Sequence, residues 1–351
     1  MSNGQHTWQG LKVLYIGSIE IHSNSFGRYR TLMELGFELQ VVDIDKTIYQ
    51  SMFSPIHHRM NIGPGIYRLN KAVRNAIRNF DPQLVWVDNK PFITAATIQF
   101  SRQRSGSVKW INLVTDDPTH RYRRAWRLFK STASLYDNHF VQRPENIAEV
   151  QAYGARNVDL CFRSFDPGFH RPLKLDVMEF EKYKTPVGFI GTYEVQRERS
   201  IAYLIKNGIP IQVTGDGWPN GSQWSFIKPY YTGPSVYGEE YIKRINGMDI
   251  ALHFLRHANR DGQDSRTFEI PACRVFMLAE RSELHLQFFA EDKEAVFFGS
   301  DIELLEKVKY YLDHPDERVR IAAGGYDRSL HSDYSHKGRL VAVLNKIYQR
   351  G

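Results

Sequence analysis

At 351 residues the chain is too long for one typical core and suits two domains, and 42% hydrophobic with 24% charged residues is the composition of an ordinary globular protein. No apolar run approaches the roughly 18 residues that cross a bilayer. The start MSNGQHTWQG lacks the charged-then-apolar order of a secretory signal, so the expected location is cytoplasmic. Cys161 and Cys273 are the only cysteines, which excludes a disulfide framework and a cysteine-based metal cluster, and a net charge of +7 favours an anionic partner without naming it.

In chain order, residues 12–16 (KVLYI) read as a strand ending at Gly17, 27–35 as a helix stopped by Gly36, and 37–44 (FELQVVDI) as a second strand. Residues 66–80 place Leu69, Val73 and Ile77 on one helical face, and Pro82 ends that helix before the strand 84–87. Strands follow at 109–114 and 138–142, then at 187–190, 209–214, 250–254, 276–279 and 295–298, with helices between them. Helices are expected at 302–311, 316–324 and 337–348. This alternation predicts parallel, doubly wound sheets in two Rossmann-like halves joined near 165–172 (FDPGFHRP). The expected domains are 1–168, 169–335 and a C-terminal helix 336–351 that packs back towards the first.

In such sheets ligands sit at the carboxyl ends of strands. Four loops occupy that place. Gly17 to Arg28 follows the first strand and contains His22. Gly191-Thr192-Tyr193 precedes Arg197; Gly215-Asp216-Gly217-Trp218 follows the next strand; Arg260 to Glu269 opens a helix. Glycine allows close backbone approach, and a helix N-terminus offers free N–H groups to a phosphate. Neither G-x-x-x-x-G-K-[ST] nor G-x-G-x-x-G is present, which argues against a P-loop NTPase and a standard dinucleotide dehydrogenase.

The segments GTYEVQRERS, TGDGW, SRTFEIPAC, EAVFF and the helical tail, spread over 186–344, resemble the C-terminal half of spore-maturation CgeB-like proteins. These form a branch of the GT-B glycosyltransferases, akin to glycosyltransferase family 4-like (group 1) proteins. The first half resembles them through KVLYIG, DPQLVWVD and the 165–172 segment. The resemblance implies an α/β GT-B fold, two Rossmann-like domains facing across a cleft, and sugar transfer from a nucleotide diphosphate donor held by the second domain. Retaining relatives carry a Glu, seven residues and a second Glu that binds the ribose hydroxyls. Glu269 takes the second place, and Asp261, a shorter carboxylate, the first. Another departure is Cys273-Arg274, where relatives commonly have Cys-Gly.

On this reading Gly191, Thr192, Arg197, Gly215, Gly217, Asp261, Arg266, Thr267, Phe268 and Glu269 form the donor site. Arg266 pairs with the diphosphate, the Thr267 and Phe268 N–H groups point at it, and Lys243 or Arg244 stands in reserve. Tyr193 and Trp218 either flank the base or pack in the core. Asp117, Asp116 and His22 are the candidate bases, the adjacent aspartates also fitting a structural turn before Pro118. No metal and no cofactor beyond the nucleotide-sugar co-substrate is expected. The acceptor is a glycan, a lipid-linked molecule or a protein, the expected use being surface polysaccharide synthesis; nucleic acid is not an expected partner. The basic, aromatic segment 120–130 (HRYRRAWRLFK) suits either peripheral contact with the inner face of a membrane or packing on its own domain. A non-catalytic nucleotide-sugar or glycan-binding protein of a glycan or spore-coat assembly is the competing reading.

Overall fold

The computed structural model describes residues 8–21, 23–48, 61–89, 92–120 and 123–349. They form two compact units. The first gathers the chain up to Phe162, Ala258–Arg260 and the chain from Arg339 onward; the second holds Arg163–His257 and Asp261–Gly338.

In the first unit β1 (Lys12–Gly17), β2 (Glu38–Asp43), β3 (Leu84–Asp88), β4 (Lys109–Val114), β5 (Asn138–Val141) and β6 (Val158–Leu160) build one sheet in the order β2-β1-β3-β4-β5-β6. Every pairing is parallel. The continuous apolar runs have a physical reason, since both faces of the sheet are covered. Leu14, Ile16, Val85 and Val87 pack with Ile66, Leu69, Val73 and Ile77 of the helix Pro64–Phe80. Val13, Tyr15 and Trp86 point the other way and pack with Leu340, Val343, Leu344 and Ile347 of the helix His336–Gln349. Each fully buried Val, Leu or Ile contributes about 1.5–3 kcal/mol. The helix Pro64–Phe80 starts two residues before its apolar pattern because Pro64 fits a first helical turn. Of the basic segment 120–130, Arg121 and Tyr122 lie outside the described residues. Trp126 and Phe129 are buried in a cluster with Val114, Val141 and Val150, so this part of it packs on its own unit.

The second unit contains β7 (Thr185–Ile190), β8 (Ile211–Thr214), β9 (Tyr231–Gly233), β10 (Met248–His253), β11 (Met277–Glu280) and β12 (Val296–Phe298). Their order is β9-β8-β7-β10-β11-β12, again all parallel. The chain winds outward from β7 to one edge and returns at β10 to wind to the other, so the strand order reverses between β7 and β10. Loops leaving these two strands diverge to opposite faces and open a crevice at the carboxyl ends. In the first unit the same reversal lies between β1 and β3.

That first reversal is filled by protein. Arg28 donates Nε to Asp88 Oδ2 (2.7 Å) and Nη2 to Oδ1 (2.6 Å), and the Tyr15 hydroxyl donates to Asp88 Oδ2 (2.6 Å) while lying 2.9 Å from Ser25 Oγ. All four residues are buried. A Cβ on Gly17 would lie 2.7 Å from Ser25 Oγ, so only glycine lets β1 end against this cluster. Arg28, expected to face a ligand, is therefore spent on Asp88. Removing one partner leaves a buried charge unpaired, at a cost of about 3–5 kcal/mol. Arg28→Met is expected to lower the urea midpoint of the first unit by a corresponding amount, and an unchanged midpoint would show the pair to be energetically neutral.

Candidate functional site

At the β7/β10 reversal the loop after β7 and the loop after β8 are knitted into one surface. Gly191 N–H donates to Thr214 O (2.9 Å), Tyr193 N–H to Asp216 O (2.8 Å) and Trp218 Nε1–H to Gly191 O (2.9 Å). Gly215 has φ +147°, and a Cβ there would overlap the Gly191 carbonyl oxygen; Gly217 has φ +83°. These three glycines serve the contact between two loops, whatever else they touch. Trp218 is buried edge-on against Phe189 and Tyr193, which assigns it to the core and not to a base pocket. Tyr193 is half-buried and Thr192 is exposed.

Arg197 is buried and spans the reversal. Its Nη1 donates to Thr192 O (2.9 Å) beyond β7, its Nη2 to Phe254 O (3.0 Å) beyond β10. Both of those groups are committed to backbone. Burial lowers its proton affinity, while Asp264 and Glu194 oppose that shift. The expected reserves are also paired: Lys243 with Glu179 (2.7 Å) and Glu239 (2.9 Å), Arg244 with Glu240 (3.0 Å).

The helix Ser265–Ala272 follows β10. Asp264 caps it, accepting the N–H of Arg266 (2.7 Å) and that of Thr267, while Thr267 Oγ1 accepts the Asp264 N–H (3.1 Å). The Thr267 N–H is thus closed to a phosphate by a protein carboxylate. Phe268 places its ring in the core against Phe288 and Tyr334. Beneath the cap His285 Nδ1 faces Glu280 O (2.7 Å) and so carries the proton; its Nε2 accepts from the Thr267 hydroxyl (2.9 Å). His253 Nε2 lies 3.0 Å from Asp264 Oδ1. Burial opposes the Asp264 charge, yet His253 and Arg266 hold the carboxyl well below its ordinary range.

Arg266 donates Nε to Ile190 O (2.9 Å) at the end of β7, and its guanidinium lies 5.9 Å from the Tyr241 ring centre. Among the described residues neither of its Nη groups has a hydrogen-bond partner. Burial works against its charge, but Tyr241, Asp264 and Glu269 raise its proton affinity further. Glu269, one turn along the helix, is buried and accepts from the Tyr241 hydroxyl (2.5 Å). Asp261 is half-buried and gives its N–H to Arg256 O (3.2 Å). The second unit therefore brings Gly191, Thr192, Arg197, Arg266 and Glu269 to one sheet edge. Asp264, His253, His285 and Tyr241 were not anticipated; the Asp-x-x-Thr cap before an apolar run is the signal that pointed to the first.

Of the candidate bases, His22 lies outside the described residues. Asp117 is buried and saturated: Arg260 donates Nε (2.6 Å) and Nη2 (3.0 Å), and Thr119 and Asn146 donate as well. Burial raises its proton affinity, but these bonds more than reverse that and hold the carboxyl far below its usual range. Such a carboxylate is a poor base, and Asp117 is an ion-pair anchor. Asp116 accepts from Asn89 Nδ2 through Oδ2 (2.9 Å) and is half-buried at the end of β4. Among the described residues its Oδ1 has no partner.

The fold is that of GT-B glycosyltransferases. The chain is similar to sucrose-phosphate synthase from Thermosynechococcus elongatus (9% identity, TM-score 0.71, covering 97% of this chain and 98% of that one). It is similar to a glycosyltransferase from Rickettsia africae (11%, 0.66, 97% and 98%) and to HepE from Anabaena in complex with UDP-glucose (9%, 0.63, 97% and 100%). Residues 197–345 match the model of a family described as glycosyl transferase-like. No curated protein matches the sequence. No helix of the described residues is long and apolar enough to cross a membrane.

Burial, with the neighbouring His253, pushes His285 from its ordinary 6.5 down to about 3. The unfolded chain protonates this ring as pH falls through 6.5 and the folded chain does not, so stability is present above 6.5 and lost on the way to about pH 3. The slope from this one group is about 1.4 kcal/mol per pH unit. Urea unfolding at pH 7, 6 and 5 should show it, and His285→Gln should flatten it.

Proposed function

We propose that the chain is a glycosyltransferase of the CgeB-like branch that moves a sugar from a nucleotide diphosphate donor, bound by the second unit, to a glycan, lipid-linked or protein acceptor, as a step in making a surface polysaccharide. The observation that carries this reading is Arg266: a guanidinium at the carboxyl end of β7, fixed through Nε, with both Nη groups turned to no described partner. Its planar fork matches a diphosphate. Glu269 supplies a carboxylate for the ribose hydroxyls. HepE, crystallised with UDP-glucose, makes UDP-sugars the first donors to test.

In the transfer, the bond between the sugar's anomeric carbon and the donor phosphate breaks and the acceptor oxygen takes the phosphate's place. The departing diphosphate gains negative charge, which Arg266 meets in place of a metal ion. We assign retention of configuration, the departing phosphate taking the acceptor's proton, with Asp116 holding the acceptor hydroxyl by a hydrogen bond. The location this reading implies is the cytoplasm or the inner face of the membrane. The competing reading, binding without turnover, is favoured by Asp261 standing where relatives place a longer carboxylate.

Purified protein should hydrolyse or transfer from at least one of the UDP-, GDP- and ADP-sugars, and binding with no turnover in the presence of any acceptor would favour the competing reading. Arg266→Ala and Glu269→Ala should each weaken donor affinity about tenfold or more, read by calorimetry. Asp116→Ala, which removes the accepting oxygen, should slow turnover about tenfold with donor affinity unchanged. Wild-type rates in that variant would remove Asp116 from the reaction.

A further inference from the structure

The segment 165–172 joins the site through one buried histidine. His170 Nδ1 accepts the Asp166 N–H (3.0 Å), so in the neutral ring the proton is on Nε2. Nε2 lies 3.6 Å from Glu269 Oε1, and both side chains are buried. The other carboxylate oxygen, Oε2, is held by the Tyr241 hydroxyl at 2.5 Å. The His170 ring stands edge-on to Tyr241, with ring centres 6.2 Å apart, and edge-on to Phe169 at 5.4 Å. Each oxygen of Glu269 is therefore faced by a different donor whose own position is fixed by packing or by a backbone bond.

We infer that His170 is a positioning residue for Glu269, setting the plane in which the carboxylate meets the vicinal diol of a ribose. The inference rests on the ribose assignment above. A carboxylate offers about four lone-pair sites; the Tyr241 hydrogen bond occupies one, and the His170 ring, in contact range at 3.6 Å and not hydrogen-bonded, bounds the other oxygen, so the remainder is aimed in one direction. A diol needs both acceptors at once, so rotation of the carboxylate forfeits hydrogen bonds to the ligand. Without His170, the Oε1 side of the carboxylate loses its buried neighbour, and among the described residues the Tyr241 hydroxyl is left as its hydrogen-bond partner, a single bond that allows rotation about it.

The test is the preference for ribose over 2′-deoxyribose. Dissociation constants are measured by calorimetry for whichever of UDP, GDP, ADP and CDP the wild type binds, and for its 2′-deoxy counterpart. His170→Asn keeps an acceptor for the Asp166 N–H but stops short of Glu269; His170→Gln carries an N–H out to where Nε2 stood. The wild type should prefer the ribonucleotide about tenfold or more. His170→Asn should lose most of that preference while holding the deoxynucleotide as the wild type does, and His170→Gln should regain it. A His170→Asn protein that discriminates like the wild type overturns the inference alone. A wild type that binds none of the four, or treats ribo and deoxy forms alike, removes the ribose assignment and the inference with it. Thermal melting of each variant distinguishes loss of folding from loss of discrimination.

Discussion

One buried guanidinium holds the second unit's site in shape. The strands on either side of a topological reversal send their loops to opposite faces, so nothing in the sheet ladder itself fixes the distance between those loops. Arg197 does so, with one Nη on the carbonyl of Thr192 and the other on that of Phe254. The arrangement has a cost, because the side chain is buried and among the described residues its Nε has no hydrogen-bond partner. Asp264 and Glu194 compensate the charge, while Arg266 and Arg256 repel it. Arg197, Arg266 and Arg256 stand here against Asp264, Glu194 and Glu269, so the formal charges balance, and what the edge offers a diphosphate is the directed fork of Arg266, since Arg197 spends both Nη groups on backbone.

Most strands that the sequence made legible are unbroken apolar runs such as KVLYI or KWINLV, buried along nearly their whole length, though the half-buried edge strand β2 is legible as well. The two that went unread, β6 and β9, are three-residue edge strands, Val158–Leu160 and Tyr231–Gly233. β12 is an equally short edge strand and was legible because its VFF is apolar and buried throughout, whereas VDL and YTG are only partly buried and carry too little apolar signal to stand out from loop. Helix ends followed local chemistry more closely. Arg274 has φ +57° directly after the cap of the helix Ser265–Ala272, the left-handed position that glycine most readily takes. An arginine there carries a strain of roughly 1–2 kcal/mol, which the helix end tolerates because the Arg274 N–H still returns to Pro271 O at 2.8 Å.

At the site, residue type was legible and partnership was not. Asp117 and Asp116 are adjacent and chemically identical, and only three-dimensional contacts separate a carboxylate saturated by Arg260 from one with an oxygen that meets no partner among the described residues. The partner of Asp117 is 143 residues away, a distance over which no spacing rule operates. The same holds for Tyr241, which approaches Glu269 from the preceding helix, and for His253 at the end of β10 and His285 in the helix Glu283–Phe288, both brought to one threonine.

The cap on the helix Ser265–Ala272 changes how an anion would be recognised there. A helix N-terminus ordinarily offers bare N–H groups and half a positive charge to a phosphate. Here Asp264 already accepts from Arg266 N–H and Thr267 N–H, and its carboxylate is kept ionised by His253 and Arg266. The dipole's stabilising power is thus used within the protein. What remains for a ligand is the Arg266 side chain, which Ile190 O and the Tyr241 ring hold in place. Recognition then depends on a planar fork with defined hydrogen-bond directions and not on a diffuse field. It favours a ligand with two oxygens at fixed separation, which a diphosphate provides and a lone monovalent anion does not.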